Sequence, residues 1–183
     1  MLEAWNYFRF CPRCGNEYGS AALGPSIVLR CARCEYEFFQ HSSPAATAVI
    51  PSADRHGEIL LLTRDTAPGR GLLALPGGFL HYAERPVDAM RREVLEETSI
   101  DVEPDILLES YLVDYQYKGA RVSVVELVFL TKPIGRDVRS IRSSEASGLD
   151  YYDSAEILRS PSRLAFPEQQ QSLQRYRQYL NLA

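Results

Sequence analysis

The chain has no apolar run long enough to cross a membrane and no strong excess of one charge. Its 183 residues include 24 Asp and Glu against 20 Lys and Arg, a formal net charge of −4. This balance provides no long-range attraction for nucleic acid or for an anionic membrane surface. No stretch reaches the roughly 20 apolar residues of a transmembrane helix. Residues 1–10 also lack the basic and apolar regions of a secretion signal, so we expect a cytoplasmic protein.

Cysteine is missing from position 35 onward. All four cysteines lie between positions 11 and 34, whereas disulfide-stapled secreted proteins usually distribute theirs more widely. The clustering predicts a small N-terminal module over residues 1–40 and a larger domain over residues 41–183. Repeats and low-complexity tracts are absent as well. A composition of 45% hydrophobic and 24% charged residues is typical of a soluble globular protein.

The cysteines form two C-x-x-C pairs whose spacing is typical of a zinc ribbon. Each pair places two thiolates on one tight turn, and two such turns complete a tetrahedral site with four sulfur ligands. We therefore predict a structural Zn²⁺ ion. Its ligands would be Cys11, Cys14, Cys31 and Cys34.

Two disulfides, two redox-active pairs and an iron–sulfur cluster are the alternatives to zinc. Disulfides are not expected in a reducing compartment, and a redox C-x-x-C normally opens a helix in a βαβ unit, which this sequence does not show. An iron–sulfur cluster is compatible with the ligand type, but the paired spacing suits zinc better. Four arginines and four glutamates cancel within residues 1–40. A structural or dimer-forming role is therefore favoured over nucleic-acid binding.

After the cysteine module, predicted strands and helices are mixed along the chain. Alternating and continuous apolar runs predict strands at 45–50, 58–63, 72–75, 107–117, 122–130 and 148–152. Helices are predicted at 86–98, where Pro86 suits the first turn, and at 167–180. Pro76-Gly77-Gly78 is expected to break the chain between the third strand and the first helix. This order predicts an α/β fold in which helices cover a sheet.

The first predicted helix carries an unusual concentration of carboxylates. At about 100° per residue, Glu93, Glu96 and Glu97 fall within an arc of about 100° on one face. They repel one another unless a cation lies between them, and carboxylate oxygens are ligands that Mg²⁺ and Mn²⁺ prefer. Arg92 can orient one of them, and the glycine loop lets the Gly78 carbonyl approach the same ion. A solvated acidic helix face is the alternative explanation.

Around this helix the sequence resembles the box that defines the Nudix hydrolases, G-x5-E-x7-R-E-U-x-E-E-x-G-U, where U is a bulky aliphatic residue. Eight of the nine defined positions match: Gly78, Glu84, Arg92, Glu93, Val94, Glu96, Glu97 and Ile100. Ser99 stands where the family has glycine, at a helix end that often needs a positive φ. The substitution is expected to cost about 1 kcal/mol there without touching the acidic ligands.

The resemblance implies an α/β/α sandwich with a mixed β-sheet, preceded by the zinc ribbon. It also implies a Mg²⁺- or Mn²⁺-dependent pyrophosphohydrolase that cleaves a nucleoside diphosphate linked to X, as in FAD, ADP-ribose or NAD(H). The cation ligands would be Glu93, Glu96, Glu97 and the Gly78 carbonyl, and Glu84 would stabilise the loop against the helix. The general base would be a box glutamate such as Glu93, or the distant Glu145. Arg64 and Arg70 are candidates for contacts with substrate phosphate.

A zinc ribbon before such a domain resembles the NADH and FAD pyrophosphatases. The SQPWPFP signature that follows the box in NADH pyrophosphatases is missing, which counts against NADH as the main substrate. Two other functions stay open, a nucleotide sensor and an enzyme that removes nucleotide caps from RNA. The expected partner is a small nucleotide rather than nucleic acid or membrane, and the ribbon or the C-terminal helix could form a homodimer interface.

Overall fold

The computed structural model describes residues 8–18, 28–39, 41–117, 120–135 and 146–181. The chain divides into two compact units, Met1–Ser43 with Asp114–Val124 and Pro44–Val113 with Val125–Ala183. The cysteine pairs thus share a unit with the segment at 114–124. The domain boundary between residues 40 and 41 stays a prediction from the sequence.

The smaller unit is built around its cysteines. Strands β1 (Val28–Arg30) and β2 (Glu37–Phe39) pair antiparallel, with Leu29 opposite Phe38. Four described residues form its buried cluster: Cys11, Tyr18, Leu29 and Cys31. Since half of these are thiols, the described residues of this cluster bury little hydrophobic surface.

The described residues after Phe39 form two sheets made of seven strands. They are β3 (Ser43–Val49), β4 (Glu58–Arg64), β5 (Leu73–Ala74), β6 (Gly77–Phe79), β7 (Pro104–Tyr117), β8 (Ala120–Thr131) and β9 (Ala146–Asp153). Their orders are β6-β3-β8-β7 and β5-β4-β9. β3 runs antiparallel to β6, whereas Ser52 and Ile134, beyond the ends of β3 and β8, form a parallel bridge. The four-stranded sheet is therefore mixed.

Three helices within the described residues cover these sheets: α1 (Pro86–Thr98), α2 (Ser154–Arg159) and α3 (Gln169–Tyr179). Met90 and Val94 of α1 pack in one core cluster with Leu60 of β4. Leu173 of α3 packs in another cluster with Leu61 of the same strand. Because successive strand residues point to opposite faces, α1 and α3 lie on opposite sides, which confirms the predicted α/β/α fold.

The predicted elements agree with the structure in type, and three differences stand out. α1 begins and ends where the sequence predicts. Helix α2 was not predicted, and neither was the 3-10 turn Pro161–Arg163 that follows it. The glycine stretch predicted to break the chain instead forms β6, because Gly77 and Gly78 pair with Thr47 and Ala46 of β3. Within the described part of the chain, no helix is long and apolar enough to cross a membrane.

Candidate active site and cysteine site

Gly77 and Gly78, at the start of β6, form with Pro76 the segment called here the glycine loop. This loop lies so close to α1 and β3 that neither glycine could carry a side chain. A Cβ on Gly78 would lie 2.6 Å from the carboxyl carbon of Glu93, and one on Gly77 would lie 2.4 Å from the carbonyl oxygen of Ala46. Gly77 also has a φ of 144°, which L side chains rarely adopt. Its N–H donates to Glu97 Oε2 at 2.8 Å. Both glycines are therefore required to bring this backbone up to the helix carboxylates.

Arg92 is the centre of the acidic cluster. Its Nε and Nη2 donate to the two oxygens of Glu84 at 2.8 and 2.9 Å. Its Nη1 donates to Glu93 Oε1 at 2.8 Å and to Glu96 Oε2 at 3.3 Å. Nη2 also reaches the Phe79 carbonyl at 3.1 Å. One guanidinium thus connects β6, the following loop and one face of α1.

The charges of this cluster are strongly coupled. The hydrogen bonds from Arg92, together with the His81 N–H, lower the pKa of Glu84 to about 2. The same contact, opposed by desolvation, raises the pKa of Arg92. Glu84 therefore stays ionised over the whole physiological range. Its bidentate bond to Arg92 and its 2.8 Å bond from the His81 N–H stabilise the loop against α1.

α1 places Glu93, Glu96 and Glu97 on one side, but their carboxylate oxygens do not form a compact group of ligand atoms. Glu93 is mostly shielded and Glu96 is exposed, with 19% and 59% of their side chains accessible. Among the described residues, the cysteines alone bring three or more potential ligand atoms within 4.8 Å of one another. Arg92 engages one oxygen of Glu93 and one of Glu96, so a divalent cation at the box would share these carboxylates with Arg92 or displace it. The donor set, carboxylate oxygens beside the Gly78 backbone, suits Mg²⁺ or Mn²⁺.

Ser99 ends α1 in the left-handed conformation, with φ 61° and ψ 22°. Its N–H donates to the Leu95 carbonyl at 2.9 Å. The positive φ expected at the position where the family carries glycine is thus present. A side chain in this region of φ and ψ carries a steric cost.

The four cysteine sulfurs form a compact group. Cys11 and Cys34 sulfurs are 3.7 Å apart, as are those of Cys14 and Cys31, and all four lie within 4.8 Å of one another. Four sulfurs at about 2.3 Å from a tetrahedral Zn²⁺ ion would be about 3.8 Å apart. The cysteines are free thiols rather than disulfides, and two of the sulfur pairs already have the separation that a zinc ion requires.

The two cysteine turns have the same hydrogen-bond pattern. Gly15 N–H donates to the Cys11 carbonyl and Glu35 N–H to the Cys31 carbonyl, both at 2.9 Å. Gly15 and Glu35 both adopt a positive φ, 69° and 58°. The N–H of Cys34, against some desolvation, lowers the pKa of the Cys31 thiol. Despite its hydrogen bond with the Tyr36 backbone, the pKa of the Cys34 thiol is raised to about 12 by burial and by the other cysteines. The turn therefore favours thiolate, the form that binds metal, at Cys31.

The two arginines predicted to contact phosphate have partners within the protein. Arg64 Nε donates to the Pro68 carbonyl at 2.8 Å, and its guanidinium lies 5.0 Å from the centre of the Phe166 ring. Arg70 pairs with Asp65 at 2.9 Å and is exposed. Both arginines thus support the loop after β4. Their contact with substrate stays a prediction.

The remaining predicted site residue, Glu145, lies outside the described residues. The sequence reasoning also missed a buried carboxylate, Glu126 on β8, which is 6% exposed. Burial raises the pKa of Glu126 despite hydrogen bonds from Thr47 and Gln169. Glu126 stands in the apolar run at 124–130, which reads as an ordinary strand, so only the three-dimensional contacts distinguish it.

Comparisons with known proteins agree with this geometry. Residues 42–175 match the NUDIX domain family. An ADP-ribose pyrophosphatase of Methanocaldococcus jannaschii is 29% identical over 132 residues, 72% of this chain and 72% of that protein. An NAD-capped RNA hydrolase of Haemophilus influenzae is 26% identical over 59% of this chain, which spans only 44% of that protein's length.

A solved structure supports the same fold. A NUDIX hydrolase from Nitrosomonas europaea superimposes with a TM-score of 0.60 at 27% identity, covering 86% of this chain and 84% of that one. The resemblance drawn from the box residues is therefore confirmed, together with the fold class that it implied.

Proposed function

This chain belongs to the Nudix hydrolase family, and we propose that it hydrolyses the P–O–P linkage of a nucleoside diphosphate linked to a second group X. The products would be a nucleoside monophosphate and phosphorylated X. The observation that carries the proposal is the contact between the glycine loop and α1, where Gly78 adjoins Glu93 and Gly77 N–H binds Glu97. This contact brings the Gly78 backbone and two of the three box carboxylates to one place, and oxygen ligands of that kind suit a phosphate-bound cation.

Each box residue has a distinct task in this proposal. Glu93, Glu96 and Glu97, with the Gly78 carbonyl, would hold Mg²⁺ or Mn²⁺. The bound cation would neutralise phosphate charge and lower the pKa of the attacking water. Arg92 of α1 and Glu84 of the preceding loop hold that loop against the helix through their bidentate ion pair. Cys11, Cys14, Cys31 and Cys34 would hold Zn²⁺ in a structural role.

A carboxylate must accept the proton of the attacking water, and two candidates remain. Glu93 lies next to the glycine loop, within reach of a cation held there. Glu145 belongs to a segment rich in serine, Arg142-Ser143-Ser144-Glu145. Comparing the pH–rate profiles of Glu93→Gln and Glu145→Gln would identify the base, because its loss removes the acidic limb of the profile.

ADP-ribose is the first substrate to test. The Methanocaldococcus relative is named for that activity and matches most of this chain. FAD and NAD(H) belong to the same chemical class, an adenylate joined through a diphosphate to X. Arg64 and Arg70, at the edge of the loop after β4, are proposed to contact the phosphates.

RNA carrying a nucleotide cap is the second candidate, favoured by the name of the Haemophilus relative. The sequence 1–40 carries as many glutamates as arginines, and Arg9 pairs with Glu17 and Arg30 with Glu35, so the module offers RNA no net positive charge. A sensor that binds nucleotides without cleaving them is less consistent with three box glutamates. We therefore place small nucleotides first.

The test is a hydrolysis screen of the purified zinc-loaded protein with Mg²⁺ or Mn²⁺. The panel would contain ADP-ribose, FAD, NAD, NADH, dinucleoside polyphosphates, nucleoside triphosphates and NAD-capped RNA, with products identified by mass. We expect AMP from ADP-ribose or FAD, and no product after chelation of the divalent cation. Turnover of capped RNA alone would favour the second candidate. A folded protein that binds ADP-ribose but cleaves nothing in the panel would be a sensor.

A further inference from the structure

A cluster of buried polar groups lies in the core of the larger unit, outside the box. Its centre is Glu126 Oε1, which accepts hydrogen bonds from Thr47 Oγ1 at 3.0 Å and Tyr111 OH at 3.3 Å. Gln169 Nε2, at the start of α3, donates to the same oxygen at 3.4 Å. Ser172 of α3 extends the cluster by donating to Tyr111 OH at 3.1 Å.

This cluster contacts the glycine loop at two points. Gln169 Oε1 accepts from the N–H of Leu75 at 3.1 Å, two residues before Gly77. Thr47, on the other side of Glu126, is the strand partner of Gly77. Gln169 of α3 therefore bonds Leu75 directly, and through Glu126 it is connected to Thr47, which lies opposite Gly77 in the sheet.

The burial of these groups makes their hydrogen bonds costly to break. Gln169 is 1% exposed and Thr47 is 5% exposed, so water does not replace a lost partner readily. Removing the Gln169 acceptor would leave the buried Leu75 N–H without a bond, which costs more than the bond itself contributes. Apolar side chains would fill the same space without desolvating a carboxyl group. We therefore expect these polar groups to contribute more to the position of the glycine loop than to the free energy of unfolding.

We propose that Gln169 and Glu126 are positioning residues for the metal-binding loop, holding Leu75 and Gly77 so that Gly78 stays beside Glu93 and the Gly77 N–H stays bonded to Glu97. This inference rests on the proposed function, since it takes the loop to be part of the cation site. Neither residue touches the box carboxylates. Their effect passes through the backbone between Leu75 and Gly78.

The first test replaces Gln169 with methionine, which has a similar length and no amide. Leu173→Ala is the matched control, because Leu173 lies on the same helix, is fully buried and has an apolar side chain that cannot hydrogen-bond the loop. We expect Gln169→Met to speed amide exchange in residues 73–80 and to raise the Mn²⁺ concentration for half-maximal hydrolysis about ten-fold. Leu173→Ala should lower the melting temperature while leaving the Mn²⁺ requirement unchanged.

The second test uses the carboxyl group itself. Glu126→Leu removes the shared acceptor and should repeat the Gln169→Met effects, whereas Glu126→Gln retains an acceptor oxygen and should restore the wild-type Mn²⁺ requirement. The inference is overturned if Gln169→Met and Glu126→Leu behave like Leu173→Ala, with lower stability but unchanged loop exchange and Mn²⁺ dependence. Amide exchange needs no substrate. A wild type without hydrolytic activity would therefore refute the proposed function while the loop measurement still decides this inference.

Discussion

The cysteine module and the box assemble their candidate metal ligands in opposite ways. In the module, four sulfurs lie within 4.8 Å of one another, and the buried cluster around them adds, among the described residues, Tyr18 and Leu29. In the box, the carboxylates lie on a helix anchored by Ala89, Met90 and Val94. Arg92 and the Gly77 N–H already bind those carboxylates.

The difference shows what each ion would contribute. Because the described cluster around the cysteines is so small, we expect this unit to need metal bonds to fold, with ligand binding and folding as one event. We expect the box to hold its shape without an ion, because its helix is anchored in an apolar cluster. Zinc would thus be part of the structure in one region, and Mg²⁺ or Mn²⁺ a reversible participant in the other.

The largest effect should come from Cys31→Ser. Losing one thiolate should abolish zinc retention, since a structural site contributes on the order of 10 kcal/mol at neutral pH. Mass spectrometry of the native protein would measure zinc content, and amide exchange over residues 28–39 would measure the loss of fold. Arg30→Ser, at an exposed neighbouring position, is the control and should retain zinc. Full zinc content in Cys31→Ser would contradict the assignment of Cys31 as a zinc ligand.

Glu97→Gln should show the opposite pattern, a loss of activity without a loss of fold. The amide oxygen can still accept from Gly77 N–H, so the loop contact is kept while the charge is removed. We expect kcat/KM to fall by about two to three orders of magnitude with little change in melting temperature. Glu103→Gln, in an exposed pair with Lys132, is the matched control and should leave kcat/KM unchanged. Unchanged hydrolysis in Glu97→Gln would contradict the assignment of the box as the cation site.

The acid stability of the box should depend on Glu84. Its pKa is about 2 in the folded protein, below the ordinary value of 4.5. A lowered folded pKa means that the stabilisation is fully present above the ordinary pKa and is lost as the pH falls toward the folded value. Melting temperatures measured between about pH 5 and pH 2 should therefore fall more steeply for wild type than for Glu84→Gln. Parallel curves for the two proteins would rule out this contribution, and Glu156→Gln, in an exposed pair with Arg163, is the control.

The smallest effect concerns the end of α1. Ser99→Gly should stabilise the protein by up to about 1 kcal/mol, because glycine adopts a positive φ without steric cost. Ser99→Ala keeps a Cβ in the same conformation and should give no gain. Denaturant unfolding would compare the two, and equal stabilities would mean that the left-handed cap carries no strain.

The local features of this fold were predictable because their causes are local. Pro86 and the acidic face set the start and extent of α1, and the apolar runs set the strands. The signal for α2 was present and missed: Asp153 accepts from the N–H groups of Ala155 and Glu156, a capping pattern with an acidic residue three positions later.

Long-range features could not be predicted in the same way. Nothing near Glu126 in the sequence indicates that Gln169, 43 positions later, will donate to it. Arg64 was predicted to contact phosphate from its residue type, but its partner Phe166 is brought close only by the fold. The box residues were predicted together because one helix and one loop hold them. The neighbours that support the glycine loop come from three separate elements: Thr47 from β3, Glu126 from β8 and Gln169 from α3.

Arg92 also determines how substitutions in the box will combine. Since one guanidinium serves Glu84, Glu93 and Glu96, replacing any one of them frees donors that can strengthen the remaining pairs. The costs of single substitutions should therefore not add, and a double-mutant cycle between Glu84 and Glu96 should yield a coupling energy because both carboxylates bind the same side chain. The free energy that one carboxylate contributes to stability therefore depends on which of the other carboxylates are present.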